Sequence, residues 1–151
     1  MKINYKKLIG IIIITILVGS FFTFFTGSSI YKEIIKPPFS PPGLVFPIVW
    51  TILYILMSIA LYQVLEKNDE NDLSLTIYGI QLFFNSTWTL IFFGFKNFLL
   101  GSIWIFLLIM FVVIMFIHFY KIKKSAGLLI IPYLIWLFIA LYLNIGIFIL
   151  N

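Results

Sequence analysis

Five times along this chain an apolar stretch recurs that is long enough to cross the hydrocarbon core of a bilayer as a helix, which takes about 20 residues. The stretches run roughly over 8–27, 44–65, 74–95, 98–120 and 126–150 and take up most of the chain, leaving no room for a separate soluble domain. In lipid every backbone polar group must be satisfied internally, so open sheets are excluded. The expectation is a single all-α integral membrane domain over 1–151, a bundle of five transmembrane helices. Composition agrees: 63% of the residues are apolar and only 10% charged. A water-soluble fold of this size has too little interior to hide that much apolar surface.

The lysines orient the bundle. With five spans, the N-terminus and the second and fourth loops share one side, which carries Lys2, Lys6, Lys7, Lys67, Lys121, Lys123 and Lys124. Lys32, Lys36 and Lys96 fall on the other. This asymmetry predicts a cytoplasmic N-terminus and an outer C-terminus. The first stretch, Leu8 to Thr26, follows lysines and precedes Gly27-Ser28-Ser29, as a signal peptide would. Its apolar run is too long for that and lacks an A-x-A site, so an uncleaved helix is expected.

Several function classes are then excluded. The chain has no Cys, which removes thiolate nucleophiles, disulfides and Cys-ligated metals. All five acids (Glu33, Glu66, Asp69, Glu70 and Asp72) are placed in loops, and no Lys falls in mid-span. Buried carboxylates for ion coupling, acid–base hydrolysis or metal binding are therefore not expected. The net charge of +5 is spread between apolar runs, which points to anionic lipid rather than nucleic acid. His118, the single histidine, lies near the cytoplasmic end of the fourth span as an interfacial residue. No metal site and no required cofactor are expected.

The first loop, 28–43, contains Lys36-Pro37-Pro38-Phe39-Ser40-Pro41-Pro42-Gly43. Its two Pro-Pro pairs fix φ and remove donors, so it is stiff and non-helical. With Tyr31 and Phe39 available to pack, it is expected to act as a lid over the outer mouth of the bundle, Lys36, Pro37, Phe39, Pro41 and Pro42 forming it. The plainer alternative is a rigid connector.

Polar residues within the spans are amides and hydroxyls at helical spacing. Gln81, Asn85 and Trp88 share one face of the third helix, while Trp136, Ala140 and Asn144 form a stripe on the fifth. Trp50, Tyr54 and Met57 or Ser58 form one on the second. All four tryptophans fall in the middle or outer half of the membrane, whereas an anchoring belt would occupy both interfaces. Indole faces with a few amides suit a flat hydrophobic ligand: the rings supply contact area and the amides fix orientation. Helix packing is the alternative role of the amides.

Taken together, these residues resemble the TspO/translocator protein family, also called tryptophan-rich sensory proteins or peripheral benzodiazepine receptors. The loop Tyr31-x-x-Ile34-x-Lys36-Pro37-x-Phe39-Ser40-Pro41-Pro42 is similar to the family's W-Y-x-x-L-x-K-P-x-W-x-P-P. Three further motifs match in order: Phe46-x-x-Val49-Trp50-Thr51-x-Leu53-Tyr54, Gln81-Leu82-x-x-Asn85-x-x-Trp88 and Pro132-Tyr133-x-x-Trp136-x-x-x-Ala140-x-x-Leu143-Asn144.

The resemblance implies a five-helix bundle, commonly dimeric, that binds porphyrins such as protoporphyrin IX and flat isoquinoline or benzodiazepine-type molecules. The family's pocket positions correspond to Tyr31, Trp50, Gln81, Asn85, Trp136, Ala140 and Asn144. The expected function is a membrane sensor or binding protein acting in tetrapyrrole regulation or transport. One alternative is light-dependent porphyrin degradation using Trp50 and Trp136; another is ligand transfer between leaflets. The chain departs from the family where Ile30 and Phe39 replace loop tryptophans and Ile139 stands where Phe is common. No basic residue follows Tyr142, so the family's cholesterol motif is not carried over.

Overall fold

The computed structural model of the chain describes residues 2–27, 29–67 and 70–151, and all regular structure among them is helical. Ser28 of the outer loop, and Asn68 and Asp69 of the acidic second loop, lie outside the described residues. The elements are α1 (Tyr5–Gly19), α2 (Thr23–Thr26), α3 (Ile30–Glu33), α4 (Val45–Lys67) and α5 (Asp72–Thr89). A π-helical turn over Leu90–Gly94 continues α5, followed by α6 (Phe98–Ile122), α7 (Lys124–Leu128) and α8 (Ile131–Leu150).

Local chemistry sets the boundaries. Asn4 and Asn97 cap α1 and α6, their side chains accepting from the amides of Lys7 and Leu100. The expected first span breaks after Gly19, where Ser20 Oγ turns back on the Ile16 carbonyl before α2 begins. The expected fifth breaks at Leu129–Ile130; Pro132 then opens α8 in its first turn, where its missing N–H costs nothing. Glu66 falls in the last turn of α4, Asp72 opens α5 and Glu33 lies in α3, so these acids sit at helix ends rather than in loops. Glu66 is held there by an ion pair with Lys7, and a carboxylate at a helix N-terminus complements its dipole.

Among the described residues four helical stretches are long and apolar enough to cross a membrane: Tyr5–Thr26, Val45–Lys67, Phe98–Ile122 and Lys124–Leu150. The remaining expected span coincides with α5 and its π-helical turn. That helix falls short in hydropathy because it buries Ser74, Gln81, Asn85, Ser86 and Thr89.

The core is largely apolar, but large apolar side chains also cover the exterior, unlike a soluble protein. Ile9, Ile13, Phe106, Met110, Ile135 and Phe138 face outward, while Thr15, Ser58, Gln81, Asn85 and Asn144 are buried. An apolar exterior around a polar-containing interior is what lipid as solvent selects. The protein is a multi-pass integral membrane protein.

The helices form a ring. α1 packs on α4 and α5, α5 on α6, and α6 on α8, whereas the α4 and α8 backbones stay apart and meet through the rings of Phe46, Trp50, Tyr133 and Trp136. At one end of the ring the Lys7–Glu66 ion pair and a bond from the Asn4 amide to Tyr62 (2.8 Å) tie the N-terminal segment to α4. At the other, Asn151 exchanges two hydrogen bonds with Ile35, of 3.0 and 2.7 Å. The two chain ends therefore lie at opposite ends of the bundle.

Candidate functional site

The sparse α4–α8 junction is covered by residues 31–42. Lys36 braces this segment from within, its ammonium donating to the carbonyls of Tyr31 (2.7 Å) and Ile34 (3.1 Å) and lying 4.8 Å from the centre of the Tyr31 ring. Tyr31 in turn donates to the Pro41 carbonyl at 2.7 Å, and Ser40 to that of Pro37 at 2.6 Å. Burial holds the Tyr31 phenol above its ordinary value of 10.0, and a hydrogen bond with Ser40 works the other way. On the far side Tyr142 of α8 donates to the Pro38 carbonyl at 2.8 Å.

Phe39 takes no part in this packing. It is 99% exposed, with φ of 63°, a left-handed conformation unusual for a bulky residue. The expectation that Phe39 packs within a lid is therefore corrected. With prolines on both sides of the Phe39-Ser40 pair, the turn projects its ring away from the bundle.

Beneath the segment is a cavity of about 20 Å³ lined by Tyr31, Phe46, Trp50, Trp88, Phe92, Phe93, Trp136, Ala140, Leu143, Asn144 and Ile147. That is room for roughly one water molecule. Its roof is aromatic: Tyr31 meets Phe46 edge-on at 5.0 Å between centroids, Phe46 meets Trp136 at 5.7 Å, and Trp136 meets Trp50 at 6.4 Å and 89°. The π-helical turn supplies the opposite wall. Its i→i+5 pitch carries Phe93 round toward Trp88, and both Phe92 and Phe93 reach the cavity.

Tyr31, Trp50, Trp136, Ala140 and Asn144 thus share one cavity. Gln81 and Asn85 do not line it. They lie in a separate buried chain in which Tyr54 donates to Asn85 Oδ1 (2.9 Å), Asn85 Nδ2 to the Tyr133 hydroxyl (2.7 Å) and Tyr133 to Gln81 Oε1 (2.9 Å). Gln81 Nε2 ends the chain on Met57 Sδ at 3.7 Å. These two amides join α4, α5 and α8 through tyrosine hydroxyls. Asn144 is also engaged, accepting from Trp88 Nε1 at 3.0 Å and donating to the Ala140 carbonyl at 2.7 Å. Gly19 makes room for the Tyr54 ring, since a Cβ built on Gly19 would fall 2.5 Å from that ring.

Phe46, Trp88, Phe92, Phe93, Leu143 and Ile147 are lining residues that the sequence reading did not assign. Spacing held the signal for several: Phe46 is one turn before Trp50, Phe92 one turn after Trp88, and Leu143 and Ile147 extend the Ala140 stripe. Trp104 belongs elsewhere, donating to Thr87 at 2.9 Å and tilted against Phe84. His118 Nε2 lies 2.9 Å from Ser74 Oγ at the α5–α6 contact. Among the described residues no group of His or acidic side chains is placed to hold a metal ion.

Comparison with known proteins gives a consistent answer. The profile of the TspO/MBR family matches residues 9–150. Tryptophan-rich protein TspO of Chlorobaculum tepidum is 40% identical over 146 residues, covering 95% of this chain and 92% of that protein. The protein of the same name from Archaeoglobus fulgidus is 36% identical over 152 residues, 98% of this chain and 99% of its own. A tryptophan-rich sensory protein of Cereibacter sphaeroides is 38% identical over 114 residues, 76% of this chain and 72% of its own.

Proposed function

The chain belongs to the TspO/MBR family, and on that premise we propose that it is a membrane sensor or binding protein for porphyrins and similar flat hydrophobic ligands. The observation that carries this reading is the aromatic cavity under residues 31–42, walled by Trp50, Trp88 and Trp136 and floored by the small Ala140. Flat rings bind by stacking or edge contact with such faces. A ligand of that size needs far more than the present volume, so it enters as the covering segment lifts and the Tyr31–Phe46–Trp136 roof parts.

In this reading the bundle has five spans, with α5 crossing behind its neighbours' apolar surface. The lysine-rich end is cytoplasmic and the covered cavity opens on the outer side. The functional unit is a homodimer, as the family resemblance implies, which light scattering in detergent checks.

The experiment is a titration of the detergent-solubilised protein with protoporphyrin IX, followed by quenching of indole fluorescence. Saturable quenching is expected. Ala140→Leu, which fills the cavity, is expected to abolish it while leaving the helical circular dichroism intact. Quenching that persists in this variant overturns the site.

A second reading, light-driven oxidation of bound porphyrin, draws support from the adjacency of Trp50 and Trp136 in one cavity. It requires porphyrin absorbance to bleach under light and oxygen but not in darkness, and to stop bleaching in Trp136→Phe.

A further inference from the structure

Phe39 is strained and its ring packs on nothing in the protein. Backbone strain persists where something beyond local packing compensates it. The segment around Phe39 is also unlike a loop made for water. From Ile34 to Leu44 its one charged side chain is Lys36, and that ammonium is turned onto the carbonyls of Tyr31 and Ile34. Pro37, Pro38, Pro41 and Pro42 have no N–H to satisfy. The Ile34 amide donates to the Ile30 carbonyl and the Ile35 amide to Asn151. The carbonyls of Ile35, Pro37, Pro38, Pro41 and Pro42 accept in turn from Asn151, Ser40, Tyr142, Tyr31 and the Val45 amide. The fewer backbone groups a segment leaves open, the closer to hydrocarbon it can lie.

Its level along the bundle points the same way. Pro37 packs against Gly146, and Tyr142 holds the Pro38 carbonyl. These two residues lie four and eight positions before the end of α8 at Leu150, or about 6 and 12 Å below it at the helical rise. Past that level α8 still turns Phe148, Ile149 and Leu150 outward, and across the seam Leu44 and Ile48 are exposed at the start of α4. Phe39 is therefore continuous with the apolar exterior that meets lipid.

We infer that the tip of the covering segment is seated in the membrane, at the boundary of headgroups and acyl chains in the leaflet at the Asn151 end, with the Phe39 ring inserted among the chains as an anchor. The partner is lipid rather than a second copy. One ring on a narrow turn offers far less than the roughly 800 Å² that each side of a specific protein interface buries, whereas acyl chains close around a single ring. Removing that ring from water offsets the strained backbone. Lifting the segment then draws Phe39 out of the chains, so the leaflet helps to hold the cover down. This holds whatever the cavity binds.

The chain has no cysteine, so a nitroxide can be placed by single substitution. Phe39→Cys and Leu44→Cys are spin-labelled in vesicles of phosphatidylcholine and phosphatidylglycerol. Relaxation by oxygen, which concentrates among acyl chains, is compared with relaxation by a water-soluble nickel chelate. Phe106→Cys on the outward side of α6 and Lys67→Cys in the last turn of α4 supply the lipid and water references. Positions 39 and 44 are expected to favour oxygen as 106 does, with nickel access severalfold below that at 67. Nickel access equal to that at 67, at either position, overturns the inference. Poor access to both reagents does so too, whether the label is buried in its own protein or, where dipolar broadening shows it, against a second copy. Should Phe39→Cys fail to fold, Leu44→Cys, outside the left-handed turn, decides alone.

Amide exchange at Ile35 tests the anchor without a label. In detergent the ring stays in the micelle whether the protein is folded or not, so only the strain counts there. In vesicles Phe39→Asn is expected to exchange severalfold faster than wild type at Ile35, because the anchor is gone. Unchanged or slower exchange, as relief of strain alone gives, overturns the anchor.

Discussion

The Pro37 ring occupies the space that a side chain on Gly146 would need: a Cβ built there falls 2.6 Å from Pro37 Cγ and 2.7 Å from Pro37 Cβ. A rigid proline ring cannot turn aside as the end of a long side chain can. Gly146→Ala is therefore expected to lift the covering segment from α8, at a cost of about 1–3 kcal/mol. Thermal unfolding in detergent measures the loss. Hydrogen exchange at the Ile35 amide, bonded to Asn151 in the closed arrangement, shows whether the segment has moved.

Asn85 links α4 to α8 by accepting from Tyr54 and donating to Tyr133. Asn85→Ala strands the buried Tyr54 hydroxyl and leaves Tyr133 bonded to Gln81 alone, and is expected to destabilise the protein by about 1–3 kcal/mol. Tyr54→Phe removes one bond and is expected to cost about 1 kcal/mol. Because Asn85 does not line the cavity, its variant is expected to hold protoporphyrin IX affinity within about threefold once folded. A larger drop would place the amide in direct ligand contact.

Alkaline pH is expected to loosen the cover. The Tyr31 phenol is raised above 10.0 by burial, so the folded state holds this proton more tightly than the unfolded chain does. The stabilisation is complete below the unfolded value and is lost as pH rises through the window between 10.0 and the raised folded value. Ionisation also leaves an oxygen that cannot donate to Pro41. Exchange at Ile35 should accelerate across that window by more than hydroxide catalysis alone produces in the wild type, and by no more than that in Tyr31→Phe.

Phe39 offers a stabilising substitution. Its left-handed backbone and lack of contacts mean the ring contributes strain without packing in return. Asn tolerates that conformation better, and Phe39→Asn is expected to raise stability by about 0.5–1 kcal/mol. The porphyrin titration should be unchanged.

Apolar length placed the helices well: the stretches at 44–65 and 98–120 correspond to Val45–Lys67 and Phe98–Ile122. What length could not reveal was interruption. Ser20 and the residues before Pro132 break two stretches, and a π-helical turn ends a third, through local backbone hydrogen bonding that hydropathy does not record.

The polar stripes illustrate a different limit. Spacing put Gln81 and Asn85 on one face of α5, but what that face meets depends on Tyr54 and Tyr133 from other helices. Those hydroxyls satisfy the amides before any ligand arrives. On α8 the same logic succeeded in grouping Trp136, Ala140 and Asn144, because small Ala140 leaves the space that the neighbouring rings surround.

The ring of helices is fastened at four junctions by broad packing and at the fifth, between α4 and α8, by the contacts of Phe46 and Trp50 with Tyr133 and Trp136 and by the segment over them. The bundle resembles a bracelet whose clasp is a short stretch of proline-rich chain. Undoing the clasp breaks a few contacts to Tyr142, Gly146 and Asn151 and leaves the other seams shut. Residence time of anything held inside would then follow the latch rather than the stability of the fold, so the two properties can be tuned by different residues.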